Sequence, residues 1–126
     1  MNKILIVDDE SHIRLLIKHS LEELEDIGVE LLMAENGKTA YNIIKIHRPQ
    51  LVFLDVMMPE MNGFELCAKI KNELNYKDTY IILLTAKGQE IDREAGLNCG
   101  ADEYITKPFD PDEICRKSFK ILNIEH

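Results

Sequence analysis

The sequence predicts an α/β domain: a doubly wound, five-stranded parallel sheet with helices on both faces. Three observations predict it. The aliphatic runs "ILIVDD", "LVFLDVMMP", "YIILLTA" and "DEYITKP" are short and largely without polar alternation, and "VELLMA" at 29–34 is a fifth candidate. Such runs suit strands covered on both faces. Amphipathic stretches of helical period lie between them. Strand and helix alternate five times, which points to parallel pairing with right-handed crossovers.

Each element has its own justification. In the first helix, Ile13, Leu16, Ile17, Leu21 and Leu24 share one face, with Arg14, Lys18, Glu22 and Glu25 opposite. Residues 37–47, 63–74, 89–98 and 111–122 also read as helices. In the last, Ile114, Cys115, Ile121 and Leu122 share a side, and Pro111 fits the first turn. No linker, repeat or low-complexity stretch interrupts the pattern, so residues 1–126 read as one domain ending with the fifth helix.

The totals narrow the function classes. A length of 126 residues is enough for one real core. The net charge is −8 and the basic residues form no tract, which argues against direct nucleic-acid binding. The longest apolar runs are far too short to span a membrane, and "MNKILIVDDE" reaches two aspartates too soon for a signal peptide. Cys67, Cys99 and Cys115 are widely spaced and include no CxxC, which suits reduced, partly buried thiols in a cytoplasmic protein. His12, His19, His47 and His126 pair with nothing at a ligand spacing and read as surface residues.

In open parallel sheets the functional crevice lies at the carboxyl ends of the strands. Asp8 and Asp9 follow the first run, Asp55 ends the third, Thr85 closes the fourth and Lys107 the fifth. All therefore reach one edge of the sheet, with Asp55 at the rim of the core. Singly each is weak: an aspartate or threonine there could cap a helix, and a lysine could be a solvated charge. Together they carry chemistry. Three clustered carboxylates repel, by about 4 kcal/mol for two charges 4 Å apart at an effective dielectric of 20, and so call for a cation. Hard oxygen ligands suit Mg²⁺. A nucleophilic carboxylate, a divalent metal, a lysine and a hydroxyl are the parts needed to take up a phosphoryl group.

"ILIVDD", "LVFLDVMMPEMNG", "ILLTA" and "ADEYITKPF" resemble the hallmarks of response-regulator receiver domains of two-component signalling, over essentially the whole chain. The resemblance implies the flavodoxin-like strand order 2-1-3-4-5. It implies that Asp55 is the phosphoacceptor, modified by a histidine kinase or phosphotransfer protein of a phosphorelay. Asp9, Asp55 and the backbone carbonyl of Met57 would bind Mg²⁺ directly, and Asp8 through a water. Lys107 would pair with Asp55 and then with the phosphoryl oxygens, Thr85 would hydrogen-bond one of them, and Tyr104 would be the aromatic switch. The Lys107–Pro108 bond resembles the family's cis peptide. Met57 and Lys87 occupy positions that tune phosphoryl loss in the family; shielding of the attacking water and plain solvent exposure are both open readings. Pro59 and Gly63 shape the loop after Asp55, and Asn62 sits in it with no chemistry assigned.

The expected function is a phosphorylation-controlled binding switch, not an enzyme beyond catalysing its own aspartyl phosphorylation and dephosphorylation. Its output would pass through the face made by the fourth helix, fifth strand and fifth helix to a downstream protein, an output domain or a second copy. No output domain is read in this chain. The alternative is a Mg²⁺-dependent aspartate-nucleophile phosphohydrolase of the haloacid dehalogenase type. That chemistry needs a second aspartate two residues after the nucleophile, where this chain has Met57.

Overall fold

The structure is a computed structural model that describes residues 2–86 and 99–125. Its chain order is β1 (Lys3–Val7), α1 (Ser11–Ser20), α2 (Glu22–Asp26), β2 (Glu30–Ala34), α3 (Gly37–His47), β3 (Leu51–Asp55), α4 (Gly63–Ala68), β4 (Tyr80–Ala86), β5 (Glu103–Lys107) and α5 (Pro111–Ile121). The helix expected at 89–98, and Lys87 before it, lie outside the described residues. The sheet is five-stranded and ordered β2-β1-β3-β4-β5, and every strand pair is parallel.

The aliphatic runs lack alternation because every residue in them has a core to enter. Leu5, Val7, Val52, Leu54, Ile81 and Leu83 face one core, built with Ala40, Ile44, Leu66, Cys67 and Ile70 of the α3–α4 side. Ile4, Ile6, Leu51, Phe53, Ile82 and Leu84 face the other, closed by Ile17, Leu21, Leu24, Ile114, Cys115 and Phe119. Successive strand side chains point to opposite faces, so a sheet sandwiched between helices buries both sets.

Three helices differ from their expected form. The first is broken at Leu21 (φ −106°, ψ 12°) into α1 and α2. Ile17, Leu21 and Leu24 are buried as expected, but Leu16 is 43% exposed. The third stops being α-helical at Ala68 and continues as a π-helical turn, Lys69–Glu73, closed by Leu74 N donating to Lys69 O at 2.9 Å. Lys71 of that turn is buried: it pairs with Asp102 Oδ2 at 3.0 Å and donates to the carbonyls of Lys77 and Thr79. Periodicity alone could not show that a lysine would point inward. In α5, Pro111 does open the helix, with Asp110 capping it, but Ser118 and Phe119 join Ile114 and Cys115 in the buried face, while Ile121 and Leu122 are only partly buried. Ser118 is tolerated there because its hydroxyl donates to Ile114 O at 2.8 Å.

Candidate functional site

The carboxyl ends of β1, β3, β4 and β5 meet at one edge of the sheet. Asp8 follows β1 and is fully buried, while Asp9 is exposed. Asp55 is the last residue of β3 and only 5% exposed. It is thus buried rather than set at the rim as expected, because the ladder is continued one residue further by Val56 N donating to Leu84 O at 3.1 Å. Thr85 and Lys107 lie inside β4 and β5, since the pairs Thr85–Thr106 and Ala86–Lys107 extend the parallel ladder through them. Thr85 is 2% exposed.

Lys107 ties the carboxylates together. Its ammonium donates to Asp8 Oδ2 at 3.0 Å and to Asp55 Oδ1 at 3.3 Å. The bond to Asp8 adds to the pairing with Asp55 that the resemblance implied. Asp8 is further fixed by the Glu10 amide on its Oδ1 at 2.9 Å, and Arg14 holds its backbone carbonyl at 2.7 Å. Asp55 accepts a hydrogen bond from the Met57 amide. Burial, then the charge of Asp8, pushes the Asp55 carboxyl up to about 6, against the pull of Lys107. Burial opposes the Lys107 charge, but its hydrogen bond to Asp8 and the two carboxylate charges outweigh it and raise its pKa.

The carboxylates suit a hard divalent cation. Ligand atoms of Asp8, Asp9 and Glu10 lie within 4.8 Å of one another, and oxygen donors of this kind bind Mg²⁺. Glu10 was not singled out from sequence, although it directly follows the aspartate pair. Asp55 stands outside that tight trio and is joined to it through Lys107.

The loop after Asp55 is set by the start of α4. Gly63 N donates to Val56 O at 2.9 Å, and a Cβ on Gly63 would stand 2.5 Å from the Asp55 carbonyl oxygen. Asn62, with no chemistry assigned from sequence, is the N-cap: its side chain accepts from Glu65 N at 2.9 Å, and Glu65 returns the bond to Asn62 N. The N-x-x-E spacing "NGFE" carried that signal. Met57 is 61% exposed and Tyr104 39% exposed, so the Tyr104 ring faces solvent in part. The Lys107–Pro108 peptide is cis. Beside Lys107, a shallow groove of about 380 Å³ is lined by Ile13, Leu16, Ala86, Pro108 and Phe109. Among the described residues no helix is long and apolar enough to cross a membrane.

The family model described as "Response regulator receiver domain" matches residues 4–118. The phosphate regulon transcriptional regulatory protein PhoB of Pseudomonas aeruginosa is 44% identical over 119 residues, covering 94% of this chain and 51% of PhoB. The transcriptional regulatory protein SrrA of Staphylococcus aureus is 44% identical over 113 residues, covering 90% of this chain and 44% of SrrA. The chain therefore spans about half the length of the curated relatives it matches. Among solved structures, the chemotaxis protein CheY4 of Vibrio cholerae superposes with a TM-score of 0.79 at 33% identity, covering 95% of this chain and 97% of CheY4. The chain belongs to the response regulator receiver domain family, the signalling switches of two-component systems.

Proposed function

We propose that Asp55 accepts a phosphoryl group from a histidine kinase or phosphotransfer protein, and that the domain thereby switches the binding of a downstream partner. The observation that carries this reading is Lys107 bridging Asp8 and Asp55 at 3.0 and 3.3 Å, a fixed cation beside a buried nucleophilic carboxylate. A carboxylate oxygen of Asp55 attacks phosphorus, the phosphorus–nitrogen bond of the phosphohistidine breaks, and the imidazole leaves. Lys107 then moves from carboxylate to phosphoryl oxygens. Asp9, Asp55 and the Met57 carbonyl would hold Mg²⁺, with Asp8 reaching it through water; the metal supplies charge neutralisation for the transferring group. Asp8 keeps Lys107 placed when Asp55 loses its own negative oxygen to the acyl phosphate.

The phosphoryl group adds roughly −1.5 to −2 charge and three acceptor oxygens. Thr85 supplies the hydroxyl that moves toward it, and the Tyr104 ring turns inward into the space left beside β4. The face made by β5 and α5 then meets a downstream protein, an output domain or a second copy. PhoB and SrrA are named transcriptional regulators and are about twice as long as this chain, so an output domain in cis or in trans is the partner this reading favours. The acidic chain itself is assigned no DNA contact, and the cytoplasm is the expected compartment.

Acetyl phosphate with Mg²⁺ tests the acceptor. Intact-mass measurement should show one added phosphoryl group on wild type and none on Asp55→Asn. Undiminished labelling of that variant would move the acceptor elsewhere and overturn the assignment.

A further inference from the structure

Of the three cysteines, two meet and one is kept apart. Cys67 on α4 and Cys99 before β5 lie in the core on the α3–α4 side of the sheet, while Cys115 on α5 lies in the opposite core. None of the three is in a disulfide. Cys67 is fully buried and Cys99 is 2% exposed, more enclosed than the sequence suggested. The Cys67 thiol donates to the Cys99 carbonyl at 3.4 Å, and the two side chains are themselves hydrogen-bonding partners. A cation stands by: the buried Lys71 of the π-helical turn, whose Cβ and Cγ would be 3.4 Å from a Cβ on Gly100, the residue after Cys99.

We propose that Cys67 and Cys99 are a peroxide-oxidisable dithiol that closes to an intramolecular disulfide. Cys67 Sγ lies 3.4 Å from the backbone carbonyl of Cys99, and the two thiols share one core as hydrogen-bonding neighbours, the proximity that a short cross-link needs. Their thiols differ in acidity: the hydrogen bond from Cys67 draws the Cys99 thiol down to about 7 against burial, with help from backbone amides and the Lys71 charge, whereas the same bond and burial push the Cys67 thiol up. The attacking species is the thiolate. Cys99 sulfur attacks one peroxide oxygen, the O–O bond breaks, and the departing hydroxide takes a proton to become water, leaving a sulfenic acid. Cys67 sulfur then gives up its proton and attacks Cys99 sulfur. The S–OH bond breaks and hydroxide leaves with that proton as the second water. Two electrons pass from the thiols to one peroxide, and a small-molecule dithiol reverses the change. In a reducing compartment such a bond is transient and regulatory. It would pin α4, which begins at the loop after Asp55, to the chain entering β5. The inference does not depend on Asp55 being the phosphoacceptor.

The test is hydrogen peroxide on the folded chain, followed by alkylation in denaturant and peptide mapping without reductant. The expected product is one linked pair of peptides carrying Cys67 and Cys99, with Cys115 fully alkylated and the link removed by dithiothreitol. Cys67→Ala and Cys99→Ala should each abolish the link, and Cys115→Ala should keep it. The wild-type map decides even where a variant folds poorly. Full alkylation of Cys67 and Cys99 after peroxide overturns the proposal, as do a bridge containing Cys115, a link between chains, or Cys99 ending as a sulfinic acid.

Discussion

Lys107 serves two carboxylates at once, and this division sets the residue-scale energetics. One ammonium cannot fully neutralise both Asp8 and Asp55, and burial makes the shortfall expensive. Burial first, and then the charge of Asp8, lets the Asp55 carboxyl hold its proton up to about 6, compared with 3.8 for the ordinary group. In the window between these values the folded state binds more protons than the unfolded chain, so this residue's contribution to stability falls as pH rises. Below the window both states are protonated and no penalty exists; above it the full penalty is present. With metal chelated, Asp55→Asn should stabilise the protein at pH 7.5 by about 1–2 kcal/mol after allowing for partial solvation, a rise in Tm of about 5 °C. The gain should shrink to a small fraction by pH 4 and vanish below it. Thermal melts in EDTA at the two pH values check this, and equal effects at both would mean that Asp55 is not ionising against a cost. That Asp8, Asp55 and Lys107 would meet was legible because each comes at the end of a strand run. The sharing of Lys107 between two acids was not, because it depends on side-chain reach across three strands.

At the scale of elements, α4 is the piece that fixes the loop after Asp55. Its capping box, Asn62 with Glu65, could be read from spacing, and Gly63 could be read as shaping the loop and opening the helix. The structure gives Gly63 a stricter reason. An added Cβ would meet the Asp55 carbonyl oxygen at 2.5 Å and Val56 Cα at 2.9 Å, both backbone atoms that cannot swing aside. Gly63→Ala should cost about 2 kcal/mol or more as the helix start is forced off the strand end. It should also slow acetyl phosphate labelling, because the displaced backbone carries Asp55. Denaturant melts and a labelling time course measure the two effects; a fully stable variant with wild-type labelling would show that the contact relaxes freely. The break at Leu21 and the π-helical turn at Lys69–Glu73 escaped the sequence for a different reason. Both preserve the apolar period that marks a helix, and what changes is the hydrogen-bond ladder, which follows from tertiary partners such as Asp102 for Lys71.

For the whole molecule, the site exists only when the sheet is assembled. Asp8 comes from the end of β1, Asp55 from β3 and Lys107 from β5, and these strands are aligned by two separate cores on opposite faces. The strand order and both-faced burial were legible from the aliphatic runs together with the family resemblance, since a strand buried on both sides leaves that pattern. The unfolded chain keeps Asp8, Asp9 and Glu10 together but parts them from Asp55, so it offers a divalent ion a poorer group of ligands. Metal binding should then act on the entire cooperative unit rather than on one loop. At a free Mg²⁺ concentration tenfold above the dissociation constant, binding to the folded state alone stabilises by about 1.4 kcal/mol, which for a domain of this size raises Tm by about 5 °C. Asp9, like Glu10, is exposed, and it takes no part in the bonds that hold Asp8. Asp9→Ala should therefore leave the melt in EDTA near wild type and remove most of the Mg²⁺-dependent rise. Paired melts of both proteins, with EDTA and across a Mg²⁺ titration, read the difference directly. An equal rise in the variant would show that Asp9 is not a ligand and that the ion binds elsewhere in the fold.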